Sequence, residues 1–284
     1  MNIGEALIEF SGKLAEIADD PALEARLLIQ KATGLSRPVL LTHPERPVDS
    51  NTYTKIQELC ERRIHGYPLP YILGEWEFFA HSFYVGPSVL IPRPETELLV
   101  EQAASWLKSY PKFRHGFDIG TGSGCIAVSL LLAFPDLQMT AVDLKMDALR
   151  TAVRNADRHR CSGRFHPVCA DLFSAFSDEP HLICANLPYI PSETCRTIEP
   201  ARFEPISALD GGADGFEFYR LLFEQLMNKI KGDSLILCEI EYRQRELAIE
   251  TAEAYFPDRE IRVLEDLNGL PRVLSIRSQE LLAG

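Results

Sequence analysis

Apolar residues recur at helical spacing through the first 66 positions: Ile3, Leu7 and Ile8, then Leu23, Leu27 and Leu28, then Tyr53, Ile56, Leu59 and Cys60. This spacing predicts three or more amphipathic helices. Asp20-Pro21 fits an N-cap followed by proline in the first turn, Gly34 fits a helix stop, and RPVLLTHPERPVDS over 37–50 reads as a loop. From Tyr71 to Ile91 the pattern shifts to aromatic and β-branched residues broken by Gly86-Pro87, which predicts a strand pair turning at that dipeptide. After IPRPETE, residues Leu98, Leu99, Ala103 and Leu107 mark a helix over 95–109. Short apolar runs at 116–119, 138–142, 165–169, 181–185, 234–240, 260–264 and 272–277 then alternate with helical patterns near 124–133, 146–159, 215–230 and 243–255. Alternation of this kind predicts an α/β domain with a mostly parallel sheet covered on both faces.

A chain of 284 residues accommodates two domains. The pattern places a small all-helical domain at 1–70, a β-hairpin linker at 71–91 and the α/β domain from about 86 to 284. With 46% hydrophobic residues and no compositionally biased block or internal repeat, fibrous and wholly disordered classes are excluded. The longest apolar stretch, CIAVSLLLAF at 125–134, is half the length of about 20 residues that a bilayer requires, so no transmembrane helix is expected. MNIGEALIEFSGKLAE lacks the features of a secretory leader, and the expected compartment is the cytoplasm. The seven cysteines contain no CxxC pair, which gives no sign of a disulfide framework or zinc ribbon. A net charge of −12 argues against a protein that coats nucleic acid with its whole surface, while leaving room for a local basic site.

Candidate chemistry begins at FDIGTGSGCIAVSLL, where Gly120, Gly122 and Gly124 lie between a short strand and an apolar helix and would let a ligand approach the backbone. A G-x-G-x-x-G fingerprint starting at Gly120 would need glycine where Cys125 stands, and no GxxxxGK[ST] phosphate loop is present. Asp143 ends the next strand, where a carboxylate can accept hydrogen bonds from ribose hydroxyls, and Asp171 follows the third strand. Acids beside such a loop suit an adenosine-type ligand with little negative charge and point to S-adenosylmethionine. After the fourth strand, ICANLPYI brings Asn186, Leu187, Pro188 and Tyr189 to the same sheet edge.

The N-L-P-Y corner resembles the N-P-P-Y-type corner of methyltransferases that modify a planar nitrogen. The α/β region as a whole resembles the HemK/PrmC family of release-factor glutamine N5-methyltransferases. The resemblance is carried by IPRPETE (91–97), DIGTGSG (118–124), AVD (141–143), NLPYI (186–190), RFEPISALDGGADG (202–215) and GLPRVLSIR (269–277), in that order. It implies a seven-stranded, Rossmann-like methyltransferase domain preceded by a helical domain that recognises a protein substrate. The substrates implied are class I peptide chain release factors, methylated on the glutamine side chain of a Gly-Gly-Gln motif, with S-adenosylhomocysteine as the other product. Carried onto this chain, the cofactor residues are Gly120, Thr121, Gly122, Ser123, Gly124, Asp143, Asp171, Leu172 and Asn186, and the catalytic corner is Asn186, Leu187, Pro188 and Tyr189. The chain departs from the family pattern at Leu187, where proline is usual, and at Glu241, where glycine is usual.

Within that resemblance, an amide nitrogen is a weak nucleophile, and two acceptors, the Asn186 side-chain oxygen and the Leu187 carbonyl, could hold its two N–H groups and aim its lone pair. Tyr189 would pack against the amide. The scheme needs no side-chain base and no metal; His159 and His166 read as surface or core-edge residues, and Glu95 and Glu97 are spaced so that they do not face together on a helix. A monomer acting on a release factor, without stable nucleic-acid or membrane binding, is expected. Arg150, Arg154, Arg158, Arg160 and Arg164 form a basic run that reads as a solvated helix face or as an RNA contact. Two other functions are therefore open at this point: an adenine N6-methyltransferase acting on ribosomal RNA, and a non-catalytic module that binds translation factors.

Overall fold

The computed structural model describes residues 1–278; the last six residues of the expected α/β domain, 279–284, lie outside them. The chain divides into two compact units, Met1–Glu75 and a second beginning at Trp76.

The first unit contains α1 (Ile3–Leu14), α2 (Pro21–Thr33), α3 (Arg37–Thr42), α4 (Ser50–Ile64) and α5 (Leu69–Leu73). The side chains of Asn2 and Glu5 cap α1 reciprocally, each accepting from the other's backbone N–H at 2.9 Å. Asp20 Oδ1 accepts from Leu23 N–H at 2.9 Å, Pro21 opens α2, and Gly34 ends it in the left-handed region at φ 71°, as the sequence predicts. Phe10, Leu14, Leu28, Ile29 and Ile56 are fully buried in this unit.

Three sequence expectations change here. The inward face of α1 is Ile3, Ala6, Phe10 and Leu14, whereas Ile8 is 78% exposed; five residues beyond Ile3 is a rotation of about 140° from the inward face. Residues 37–42, expected as loop, form the short helix α3 with Pro38 in its first turn, where a missing N–H is tolerated. Tyr71 belongs to α5, stopped by Gly74 at φ 74°, so the strand pair is shorter than predicted. Its strands are β1 (Glu75–Phe78) and β2 (His81–Tyr84), and they are joined at Phe79-Ala80, at φ 50° and 60°; Gly86-Pro87 makes a separate turn after β2, closed by the Val89 N–H on the Gly86 carbonyl at 3.1 Å. The right-handed twist of paired strands favours a tight turn with both central residues at positive φ, whatever their type. Glu97 Oε1 accepts from Phe79 N–H at 2.8 Å, and Asn155 exchanges hydrogen bonds of 2.7 and 3.0 Å with the backbone of Tyr84. These contacts anchor the hairpin in the second unit. Ala80→Gly should stabilise the protein by about 1 kcal/mol, because a left-handed conformation costs an L-residue roughly 1–2 kcal/mol; the check is the midpoint of denaturant unfolding.

The second unit continues with α6 (Glu97–Ser109), β3 (His115–Ile119), α7 (Cys125–Ala133), β4 (Gln138–Asp143), α8 (Met146–Arg158), β5 (Phe165–Cys169), β6 (Leu182–Ala185) and α9 (Ser192–Cys195). It ends with α10 (Glu217–Leu226), β7 (Leu235–Glu239), α11 (Arg245–Tyr255), β8 (Arg259–Glu265) and β9 (Pro271–Ser278). Seven strands form one sheet in the order β5-β4-β3-β6-β7-β9-β8, parallel except where β9 pairs antiparallel with β7 and β8. Alternate strand residues face opposite layers. Leu182, Cys184, Leu235 and Leu237 pack with α6, α7 and α8, while Ile183, Ala185, Ile236 and Cys238 pack with α10 and α11. This two-sided burial explains why the strands read as continuous apolar runs. No helix among the described residues is long and apolar enough to cross a membrane.

Candidate active site

The parallel strands β3, β4, β5 and β6 deliver their carboxyl ends to one edge, where a cavity of about 210 Å³ opens. Its lining includes Gly120, Thr121, Gly122, Ser123, Asp143, Asp171, Leu172, Asn186, Leu187 and Pro188, all expected from the sequence. Gly124 does not line it; at φ 80° it starts α7, and a Cβ there would come within 3.1 Å of Ala152. Tyr189 lines a second cavity, of about 130 Å³, which shares Leu90, Arg93, Asn186 and Ala208 with the first.

The glycine loop is held by backbone bonds from Gly120 and Thr121 N–H to the Val142 carbonyl, at 2.8 and 2.9 Å. Gly120 takes φ 73°, where an L side chain is strained, and a Cβ there would also lie 2.9 Å from Leu187 Cδ2. Asp143 accepts from Gly122 N–H at 3.0 Å and from Lys145 N–H at 2.8 Å, one bond on each carboxylate oxygen. Each oxygen keeps a further lone pair for a ligand hydroxyl. Burial pushes the Asp143 carboxyl up from its ordinary pKa, and the backbone donors offset part of that rise. Leu172 forms part of the wall at φ 51°, and the exposed Asp171 precedes it.

Asp118, whose role sequence spacing does not reveal, lies beneath the loop, fully buried, and accepts from the Thr121 hydroxyl at 2.7 Å and from Ala127 N–H at 3.2 Å. Burial raises its pKa to about 6. A carboxyl raised in the folded state contributes most to stability below its unfolded pKa and loses that contribution as pH rises through the folded value. Between pH 4 and pH 7 this group should therefore lower unfolding free energy by roughly 2–3 kcal/mol. Asp118→Asn should remove that part of the pH dependence, as read from urea unfolding at several pH values.

At the corner, Asn186 Nδ2 donates to Thr96 Oγ1 at 3.1 Å, which assigns the acceptor end of the amide to Oδ1. Leu187 N–H donates to the Tyr219 hydroxyl at 3.2 Å, and that hydroxyl donates to the main-chain oxygen of Glu239. The Tyr189 hydroxyl donates to Glu239 Oε1 at 3.1 Å, while Gln244 Nε2 donates to the Tyr189 carbonyl at 2.8 Å. Burial pushes the Glu239 carboxyl up, an effect offset in part by the Thr96 and Tyr189 hydroxyls. At Glu241, the second departure from the family pattern, the chain makes a capped 3-10 turn: Glu241, at φ −74°, accepts from Arg243 N–H at 2.9 Å, and Gln244 Oε1 accepts from Glu241 N–H at 3.0 Å. That φ suits any residue, so glycine is not needed.

RFEPISALDGGADG wraps this corner. Glu204, nearly buried, pairs with Arg93 at 2.5 Å and accepts from Ile91 N–H at 3.1 Å, tying the motif to IPRPETE. A Cβ at Gly211 would fall 2.5 Å from the Pro188 carbonyl oxygen, and one at Gly215 2.1 Å from that of Tyr189. The glycines thus permit backbone to pack directly on backbone. Thr96, Tyr219, Glu239 and Gln244 are supports that sequence reasoning missed, because each comes from a different element and only the fold brings them together. The one available signal was the glycine pair in DGGADG.

The basic run is engaged within the chain at four of its five positions. Arg150 pairs with Asp147 at 2.7 Å, the guanidiniums of Arg154 and Arg158 lie 3.5 and 4.5 Å from the Tyr84 ring centre, and Arg164 donates to the Leu131, Phe134 and Leu137 carbonyls. His159, half-buried, contacts the Ser82 carbonyl at 2.9 Å, and His166, on the surface, contacts the Gln138 side chain at 2.8 Å. Among the described residues no group of three His, Cys, Asp or Glu side chains is placed to hold a metal ion.

Residues 5–74 match the family model of the PrmC N-terminal domain, and residues 94–197 that of the methyltransferase small domain. The chain is 37% identical to a release factor glutamine methyltransferase of Chlorobaculum tepidum, with 92% of each chain covered. It is 33% identical to one of Coxiella burnetii, over 98% of this chain and 99% of the other. Among solved structures, the N-terminal domain of human METTL16 in complex with SAH has the same fold, with a TM-score of 0.51, 17% identity and coverage of 70% of this chain and 76% of that one. The full-length relatives fix the assignment: the chain belongs to the release factor glutamine methyltransferase family.

Proposed function

We propose that the protein transfers a methyl group from S-adenosylmethionine to the side-chain amide nitrogen, N5, of the glutamine in the Gly-Gly-Gln motif of class I peptide chain release factors. The observation that carries this reading is that the two cavities meet at Asn186. One cavity has glycine amides and carboxylates suited to an adenosyl ligand, and the other has room for a side chain. S-Adenosylmethionine supplies an electrophilic methyl group on a sulfonium centre and leaves as S-adenosylhomocysteine.

The chain's residues divide the remaining work. The Gly120–Ser123 segment would give the backbone cradle, with Gly124 starting α7 behind it, Asp143 would accept from ribose hydroxyls through its remaining lone pairs, and Asp171 and Leu172 would line the adenosyl end of the cavity. Asn186 Oδ1, oriented by Thr96, and the Leu187 carbonyl accept the two N–H groups of the substrate amide. Holding both hydrogens fixes the amide plane and turns the nitrogen lone pair out of it, toward the cofactor side. Both bonds strengthen as positive charge develops on nitrogen, so they stabilise the transition state more than the bound ground state. Proton loss to water follows transfer, and no side-chain base takes part. Pro188 and Tyr189 wall the amide, with the Tyr189 hydroxyl held by Glu239.

The helical unit, Met1–Glu75, serves to dock the release factor, a reading supported by its match to the PrmC N-terminal domain. The enzyme acts as a cytoplasmic monomer that stably binds neither nucleic acid nor membrane. To test the function, purified protein is incubated with methyl-labelled S-adenosylmethionine and either a class I release factor or ribosomal RNA. Label is expected on the release factor, and none after replacement of the Gly-Gly-Gln glutamine by alanine; label on RNA alone would overturn the reading.

A further inference from the structure

Leu187 stands where a proline ring would fix φ near −65°. A leucine at this position is free of that constraint, yet it has something proline lacks, a backbone N–H. That N–H donates to the hydroxyl of Tyr219 at 3.2 Å, and the same hydroxyl donates to the main-chain oxygen of Glu239 at the end of β7. Tyr219 is fully buried in α10, with its ring among Phe216 and Phe223, so the hydroxyl has a fixed position. Anchoring the N–H sets the plane of the peptide between Asn186 and Leu187. Pro188 then confines Leu187 to extended backbone, and the Leu187 side chain is packed against Gly120. Together these constraints set the direction of the Leu187 carbonyl.

We propose that Tyr219 is a positioning residue, whose hydroxyl holds the Leu187 peptide so that the Leu187 carbonyl meets the substrate amide, doing by a hydrogen bond what a proline ring at 187 would do covalently. This rests on the proposed glutamine methylation. It assigns Tyr219 a role that a buried core tyrosine would not otherwise have.

The test compares kcat and KM for release-factor methylation in the unsubstituted enzyme, Tyr219→Phe, Leu187→Pro and the double variant. Tyr219→Phe should lower kcat about tenfold, the scale of one hydrogen bond, with KM for S-adenosylmethionine nearly unchanged. In the Leu187→Pro background, which has no N–H to anchor, the same substitution should change kcat less than about twofold. Loss of the bond to the Glu239 carbonyl is common to both backgrounds and cancels in the cycle. Leu187→Ala keeps the N–H and should keep the full tenfold effect, which serves if Leu187→Pro folds poorly. An unchanged kcat in Tyr219→Phe, or an equal loss in the Leu187→Pro background, would overturn the inference. Failure of the unsubstituted enzyme to methylate release factor would overturn the function itself; methylation that Tyr219→Phe leaves intact would overturn this inference alone.

Discussion

Replacing Asn186 with alanine is expected to lower kcat for release-factor methylation by roughly 30- to 1,000-fold, equivalent to about 2–4 kcal/mol of transition-state stabilisation. The effect follows from the local geometry. The Asn186 amide nitrogen donates to Thr96 at 3.1 Å, so the oxygen is the end available to a substrate N–H, and Asn186 lines both cavities. Alanine removes the acceptor but leaves the glycine loop, Asp143 and the corner backbone unchanged. Affinity for S-adenosylmethionine, measured by calorimetry, should therefore fall only a few-fold while kcat collapses. Unchanged turnover would reject the assignment, and complete loss of cofactor binding would make Asn186 a cofactor residue first.

Gly215→Ala should cost about 3–5 kcal/mol of folding stability and, at temperatures where the variant stays folded, most of the activity. Gly215 sits at φ 79°, and a Cβ would lie 2.1 Å from the Tyr189 carbonyl oxygen and 2.6 Å from Gln244 Nε2. The first of these is main chain of the catalytic corner, so relief requires moving Pro188 and Tyr189. Gly34 offers the control: it has φ 71° and nothing within 4 Å of the added carbon, so Gly34→Ala should cost only about 1–2 kcal/mol and leave kcat alone. Chemical denaturation and turnover of the two variants decide the matter. Equal losses of stability with equal activity would show that the close packing of DGGADG against the corner has no functional weight.

Much of the α/β unit was legible because its central strands β3, β4, β6 and β7 are buried on both faces and most of its helices carry apolar periodicity. The predicted strand over 165–169 coincides with Phe165–Cys169, and that over 138–142 falls one residue short of Asp143. Positions governed by backbone conformation or by long-range packing were less legible. Phe79-Ala80 forms a left-handed turn without the residues that normally signal one, whereas Gly86-Pro87 does make a turn, closed by the Val89 N–H on the Gly86 carbonyl at 3.1 Å, but beyond the end of the hairpin. Ile8 counted toward an apolar face although the inward stripe runs through Ala6 and Phe10.

The site divides in the same way. Gly120, Asp171 and Asn186 follow strand ends and Asp143 closes β4, and topology alone brings such positions to one edge. Thr96, Tyr219 and Glu239 come from three distant stretches, and no local pattern in the sequence joins them; their hydrogen bonds depend on packing. The Arg150–Arg164 run, open to an RNA reading in the sequence, is drawn into cation–π and carbonyl contacts that the sequence could not display.

The most direct measurement of the central claim is tandem mass spectrometry of a class I release factor after incubation with the enzyme and S-adenosylmethionine. One added methyl group is expected on the Gly-Gly-Gln peptide, assigned by fragmentation to the glutamine side-chain amide, and absent when Asn186→Ala enzyme is used for the same short time. A methyl group on any other residue, or an unmodified Gly-Gly-Gln peptide with active enzyme present, would contradict it.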